Sequence, residues 1–190
     1  MQIRTATRAD EARLLDTITL AFAADPIVRY WFRSSSDFLQ WWRQFVLALG
    51  ERGLDADACD VTDDFEGVAL WLPPGVEPDP QRVGALDLPG NDQSAEVSAR
   101  FRAEMDRYHP TDPHWYLWTL GVDPRCQGRG IGSALLKHRL AQIDAAGAMA
   151  YLEASDPKNV PFYERHGFEA MGVIEVEDIP PLTPMIRPAR

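Results

Sequence analysis

Apolar positions along the chain change period several times, and each change marks an element. Residues 115–122, Trp-Tyr-Leu-Trp-Thr-Leu-Gly-Val, are apolar on both alternating faces, the pattern of a strand covered on both sides. Asp123-Pro124 closes that run, and after a glycine-rich turn Ile131, Leu135, Leu136, Leu140 and Ile143 recur at helical spacing as far as Gly147. A second strand over Met149–Ala154 completes a strand–helix–strand unit, which implies a parallel pair joined by a right-handed crossover.

Upstream, residues 3–6 read as a short strand, and Thr7 with Asp10 resembles a capping box opening a helix to residue 24. That helix carries Ala12, Leu15, Ile18 and Phe22 on one face, and Asp25-Pro26 is predicted to stop it. A second helix over residues 36–50 places Phe38, Trp41, Trp42, Phe45 and Leu49 on one wide apolar face. Cys59–Thr62 and Gly67–Leu72 read as a hairpin around Asp63-Asp64-Phe65-Glu66. Residues 73–95, rich in Pro, Gly, Asp and Gln, read as an irregular excursion, and Ala95–Tyr108 as a helix ending before Pro110. Downstream come a short helix over 160–166, a strand over 168–176 and a last strand over Thr183–Arg187. With no repeat and no second core, residues 1–190 are expected to form a single α+β domain.

Composition narrows the function classes. A chain of 190 residues, 45% hydrophobic and 25% charged, suits one globular domain. The N-terminus has no cationic start followed by an apolar run, and no stretch approaches about 18 apolar residues, so a cytoplasmic protein is the expectation. A net charge of −10 opposes binding to nucleic acid or an anionic membrane and suits a cationic or neutral small substrate. Cys59 and Cys126 have no Cys or His at ligand spacing, which predicts reduced thiols and no metal site. The oligomeric state is not encoded in these features, and a homodimer stays open.

Gln127-Gly128-Arg129-Gly130-Ile131-Gly132-Ser133 stands between the predicted strand and helix, where free backbone N–H groups and the helix dipole favour an anion. A Walker loop would end in Gly-Lys-Ser/Thr, and a dinucleotide fingerprint would have a third Gly where this chain has Ser133. The pattern met instead is Gln-x-x-Gly-x-Gly, through Gln127, Gly130 and Gly132. About thirty residues later stands Asn159-Val160-Pro161-Phe162-Tyr163-Glu164-Arg165-His166-Gly167-Phe168. In order and spacing, residues 115–170 resemble the Gcn5-related N-acetyltransferase (GNAT) superfamily, and the layout is similar to its puromycin N-acetyltransferase-like members.

That resemblance implies a GNAT fold: one mixed sheet of about six to seven strands flanked by helices, with a splayed central parallel pair. It implies acetyl-coenzyme A as cosubstrate, with Gln127, Gly128, Arg129, Gly130, Ile131, Gly132 and Ser133 holding the pyrophosphate and Arg125 adding charge nearby. The backbone of Leu120, Gly121 and Val122 would pair with the pantetheine, and Asn159 would contact the coenzyme. The implied reaction is acetyl transfer to a primary amine of a small molecule by direct attack. A protein or peptide acceptor is the alternative within the same chemistry, and a coenzyme-A sensor without catalysis is the alternative outside it.

Such a transfer needs a base for the ammonium and an acid for the departing thiolate. Tyr163 falls at the family's position for the acid, and a phenol suits a proton donor to sulfur. Glu153 is the leading candidate base, acting directly or through water, with His114 behind it and His109 further behind. The resemblance also implies an acceptor pocket among the first two helices and the loop between them, with Phe22, Asp25, Tyr30 and Trp31 as lining candidates, while helical periodicity already accounts for Trp41 and Trp42 as packing.

Overall fold

The computed structural model describes residues 1–86 and 95–190. Seven strands form one sheet: β1 (Ile3–Thr5), β2 (Cys59–Thr62), β3 (Gly67–Leu72), β4 (His114–Val122), β5 (Met149–Ala154), β6 (Glu169–Ala170) and β7 (Thr183–Arg187). Their spatial order is β1-β2-β3-β4-β5-β7-β6. Every neighbouring pair is antiparallel except β4 and β5. The parallel pair is the crossover expected from the strand–helix–strand pattern, with helix α6 (Ile131–Ala145) as its connection.

The remaining helices are α1 (Glu11–Phe22), α2 (Pro26–Trp31), α3 (Ser35–Asp55), α4 (Pro80–Gly84), α5 (Ala95–Tyr108) and α7 (Val160–Glu164). One face of the sheet packs against α1 and α3, where Leu15, Ile18, Phe38, Trp42 and Val46 meet Val61, Val68 and Leu70. The opposite face carries α6, whose Ile131, Leu135, Leu136, Leu140 and Ile143 meet Ala69, Trp71, Leu117, Ala150 and Leu152. A third cluster joins Val97 and Phe101 of α5 to Ile174, Val176, Ile179 and Leu182, with Ile27, Tyr30 and Trp31 of α2 packed against it.

Four sequence expectations are revised. Asp25-Pro26 ends α1 but also begins α2: the Asp25 carboxylate accepts from the Val28 N–H at 3.0 Å, and Pro26 occupies the first turn, where its missing N–H costs nothing. Asp79-Pro80 does the same for α4, inside the excursion read as irregular; residues 87–94 of that excursion lie outside the described residues. The second helix runs past Gly50 to Asp55, because Gly50 and Gly53 serve packing and not termination. A Cβ at Gly50 would lie 2.2 Å from Leu70 Cδ2, and one at Gly53 would lie 2.0 Å from the Trp71 carbonyl oxygen. Finally, the strand expected over 168–176 shrinks to Glu169–Ala170: the chain leaves the sheet at Gly172, which fits closely under Tyr108 of α5, and Ile174 turns into the third cluster.

The capping signal at the first helix is present, with Asp10 at its centre. Its carboxylate accepts from the Thr7 N–H at 2.8 Å and from the Arg4 guanidinium at 2.8 and 2.9 Å. The Arg4 hydrogen bonds, followed by the Thr7 N–H, hold the Asp10 carboxyl well below the usual carboxylate range. Because the folded value is depressed, the stabilisation is present above about pH 4 and is lost progressively as pH falls below it. Asp10→Asn is therefore expected to lower the unfolding free energy by about 1 kcal/mol at pH 7, a difference that narrows in urea melts at pH 3. An equal deficit at both pH values would contradict this account.

Candidate active site

The sheet does not close completely. β4 has nine residues, yet its pairing with β5 covers only His114↔Met149, Trp115↔Ala150 and Tyr116↔Tyr151. Beyond Tyr116 the two strands separate. Leu120, Gly121 and Val122 keep their antiparallel partners Ala69, Val68 and Gly67 on β3 and have none on β5. The alternation along β4 is also reset, since Leu70 pairs with Thr119 and Trp71 with Leu117. Trp118 is the extra residue, a bulge that turns its ring toward Phe45 of α3 at 5.9 Å. Gly121 allows α1 to lie close, for a Cβ there would meet Ala21 Cβ at 3.0 Å.

At the end of β4 the chain enters the glycine-rich turn. Asp123 accepts from the Arg125 N–H at 2.9 Å, and Gln127 Nε2 donates to the Val122 carbonyl at 3.4 Å. Gly128 and Gly130 have φ of 74° and 82°, in the left-handed region that favours glycine, and both face open space. Helices α2, α3 and α4 each begin with a side chain accepting a first-turn N–H, from Asp25, Ser34 and Asp79. By contrast, α6 begins at Gly130 with no side-chain hydrogen bond to its first-turn N–H groups, a trait that α1 and α7 share. That leaves the donors and the positive end of the dipole available to an anion.

The other loop residues have divided roles. Ile131 is buried against Gly67 of β3, so only its backbone faces the turn. Ser133 is engaged by His166: the His166 Nδ1 hydrogen goes to the Phe162 carbonyl at 2.8 Å, so in the neutral ring Nε2 accepts from the Ser133 hydroxyl at 2.7 Å. Arg129 donates to Glu66 at 3.1 Å, and Arg125 stays exposed beside Asp123.

On the far side of the opening stands α7. Tyr163 is half-buried, and its hydroxyl has no hydrogen-bond partner among the described residues. Burial, with the nearby Asp25 carboxylate adding to it, pushes the Tyr163 phenol well up from its ordinary value. Asp25 accepts from the Ser155 hydroxyl at 2.5 Å, which ties the α1–α2 corner to the residue after β5. Desolvation raises the Asp25 carboxyl despite that bond. Asn159 ends a short 3-10 turn, exposed, and α7 begins at the next residue, so Asn159 and Tyr163 do not share one regular helix.

Glu153 projects from β5 just past the last paired rung, on the same side as Tyr151. Only 6% of its side chain is exposed. Oε2 accepts from the Tyr116 hydroxyl at 2.6 Å, whereas Oε1 is buried without a hydrogen bond among the described residues. The Tyr151 hydroxyl is likewise buried and unpartnered, and burial followed by the Glu153 charge raises both tyrosines. The His109 ring packs edge-on against Tyr116 and Tyr151 at 5.1 and 4.9 Å, with Nδ1 3.8 Å from Glu153 Oε1. This link across 44 residues has no signature in either local pattern.

Among the acceptor-side candidates, Asp25 reaches the opening, and Tyr30 donates to Asp178 at 2.9 Å. Trp31 belongs to the third cluster, against Phe101 at 5.9 Å, while the half-buried Phe22 meets buried Trp42 at a tilt with centroids 5.3 Å apart, and Trp41 packs alongside. Among the described residues no group of three or more His, Cys, Asp or Glu is placed to hold a metal, and no helix is long and apolar enough to cross a membrane.

Residues 37–168, more than half of the chain, match the model of the acetyltransferase (GNAT) family. The chain belongs to the GNAT family. Its fold matches a Corynebacterium glutamicum structure described as histone acetyltransferase HPA2 and related acetyltransferase, with 30% identity, a TM-score of 0.71 and coverage of 100% of this chain and 96% of that one. An uncharacterized N-acetyltransferase of Schizosaccharomyces pombe is 28% identical over 179 residues, covering 84% of this chain and 70% of that protein. The mycothiol acetyltransferase of Mycobacterium avium is 37% identical over 75 residues, 34% of this chain but only 24% of that enzyme. The seven-stranded mixed sheet with its parallel β4–β5 pair is the GNAT fold, and the chain is an acyltransferase.

Proposed function

We propose that this protein transfers the acetyl group of acetyl-coenzyme A to a primary amine of a small molecule, by direct attack within a ternary complex. The observation that carries the reading is the opening of the sheet beyond Tyr116, which sets an unpaired β4 edge beside the uncapped start of α6 and gathers Glu153, Ser155, Asp25 and Tyr163 at one end.

The residues present fit the cosubstrate. The free edge of Leu120, Gly121 and Val122 offers backbone groups to an amide-bearing chain such as pantetheine, and residues Gln127–Ser133 offer donors to a pyrophosphate, with Asn159 exposed on the opposite wall. When bound, acetyl-coenzyme A supplies the activated thioester. Glu153 takes the ammonium proton, directly or through water, leaving an uncharged nucleophile. Tyr163, which stays protonated at neutral pH, gives its proton to the departing sulfur and recovers one from the acetylated nitrogen, which sheds its second proton. The acidic groups at the opening favour a cationic acceptor. The third cluster, which lays α5 and residues 174–182 over α2, leaves less room for an extended peptide than for a small amine.

A panel of primary amines, among them phenethylamine, spermidine, glucosamine and a lysine-bearing peptide, tests this by thiol released from acetyl-coenzyme A. Turnover of a small amine above that of the peptide is expected. Faster peptide turnover would reverse the acceptor class, and coenzyme binding with background thiol release would indicate a sensor. No rise in melting temperature with acetyl-coenzyme A and no consumption would sink the proposal.

Gly130→Ala gives a narrower check on the loop. A side chain at φ 82° costs on the order of 1 kcal/mol, and its Cβ would project toward the space assigned to the pyrophosphate. The KM for acetyl-coenzyme A is expected to rise about tenfold, equivalent to about 1.4 kcal/mol. An unchanged KM would move the phosphates elsewhere.

A further inference from the structure

Glu153 has a difficulty that its burial creates. A carboxylate with 6% exposure that accepts a proton from an ammonium must lose it again before the next turnover, and Oε2 is already occupied by a donor, the Tyr116 hydroxyl. The other oxygen, Oε1, is buried and unpartnered, and the basic nitrogen facing it is His109 Nδ1 at 3.8 Å.

The protonation of that nitrogen follows from the neighbouring histidine. His114 Nδ1 lies 2.8 Å from the Asp112 carbonyl, which can only accept, so the His114 hydrogen is on Nδ1 and its Nε2 is an acceptor when the ring is neutral. His109 Nε2 lies 3.1 Å from that acceptor and must therefore donate, which leaves the lone pair of His109 Nδ1 turned toward Glu153. The groups facing His109 are Glu153 and Tyr151 from β5 and His114 and Tyr116 from β4, the three rings lying edge-on to it. Its own side chain is 36% exposed, six times the value at Glu153.

We propose that His109 is the proton outlet of Glu153, with His114 as the residue that fixes its tautomer. This rests on the reading of Glu153 as the base. The protonated carboxyl gives its hydrogen from Oε1 to His109 Nδ1, restoring the carboxylate and forming an imidazolium that still donates from Nε2 to His114. The proton now on Nδ1 then passes to a water reaching this partly exposed side chain, while Nε2 keeps its hydrogen toward His114, and the ring is back in its starting tautomer. One proton moves from the buried carboxyl to solvent per turnover, and nothing else is consumed. A ring shift of about 1 Å brings the pair to hydrogen-bond distance.

The test uses the amine turned over fastest in the panel above, with His109→Ala, the volume-conserving His109→Gln, and Glu153→Gln in parallel, each first shown to keep the parent's thermal shift with coenzyme A. Both His109 variants are expected to lose about tenfold to a hundredfold in kcat while the KM for the amine stays within about twofold. Added imidazole is expected to restore turnover saturably in His109→Ala and to leave Glu153→Gln unchanged. Full kcat in both His109 variants beside an inactive Glu153→Gln would overturn the outlet and leave Glu153 as base. Equal losses in kcat and rises in KM without imidazole rescue would reduce His109 to a packing residue. An active Glu153→Gln would remove the base itself, and the outlet with it.

Discussion

Tyr163→Phe is expected to lower kcat by about a hundredfold or more while leaving the KM for acetyl-coenzyme A within about twofold. The substitution removes one oxygen from a ring that is packed with Val160 and Phe162 against the α6-side core, and that oxygen holds up no hydrogen bond among the described residues. Folding therefore loses little, and any large effect belongs to the chemistry. The surroundings keep the group in the protonated state from which an acid must start. Burial and the Asp25 carboxylate both disfavour a phenolate, so the proton is present at neutral pH and well into the alkaline range. No fall in rate from Tyr163 ionisation is expected up to about pH 10. Unchanged turnover in the variant would transfer the acid's role to another donor or to water.

The second large effect is on stability. Asp60, on β2, is fully buried, and Arg139 of α6 reaches it with two bonds of 2.8 and 2.6 Å. Arg139 also donates to the Asp57 carbonyl at 3.1 Å and to Gln142 at 3.2 Å, and its guanidinium lies over the Trp115 ring. Asp60→Ala would strand that cation in the core. The expected loss is about 3–5 kcal/mol, or roughly 6–20 °C in melting temperature for a chain of this size. Replacing both partners, with Asp60→Leu and Arg139→Met, is expected to recover most of it, since apolar groups of similar volume demand no solvation. A double variant as unstable as the single one would show that the site needs charge and not merely filling. The pair also fixes where α6 sits on the sheet, and with it the position of the Gly130 turn at the helix's other end.

What could be read from the sequence was periodic or local. The two-faced apolarity of β4, the helical spacing of α6 and the strand after it are short-range patterns, and they give the crossover that places the loop. Gln127, Gly130 and Gly132 were legible because backbone geometry at a helix start restricts residue type. Asp–Pro pairs were ambiguous for the same kind of reason: a dipeptide that cannot continue a helix is also well suited to begin one, as Asp25-Pro26 and Asp79-Pro80 do. The end of the second helix at Gly50 was not legible, because the glycines there answer to residues far along the chain, Gly50 to Leu70 and Gly53 to Trp71. The site's electrostatics were least legible of all. Tyr116 with Glu153, Asp25 with Ser155 and Ser133 with His166 are contacts made by the sheet order, and no local spacing encodes them.

The three rungs between β4 and β5 carry a mechanical consequence. They lie together at one end of the pair, so the pairing divides the sheet into two leaves, β1 to β4 and β5 with β7 and β6, joined along a short spine at His114–Tyr116 and bridged further by α6 on one face and by the Asp25–Ser155 bond at the open end. A small change of angle at that spine becomes a larger change of width at Val122, because displacement grows with distance from a pivot. Side chains at the spine, Trp115 and Ala150 among them, therefore bear on the gauge of the cleft from its closed end, alongside α6 and the Asp25–Ser155 bond.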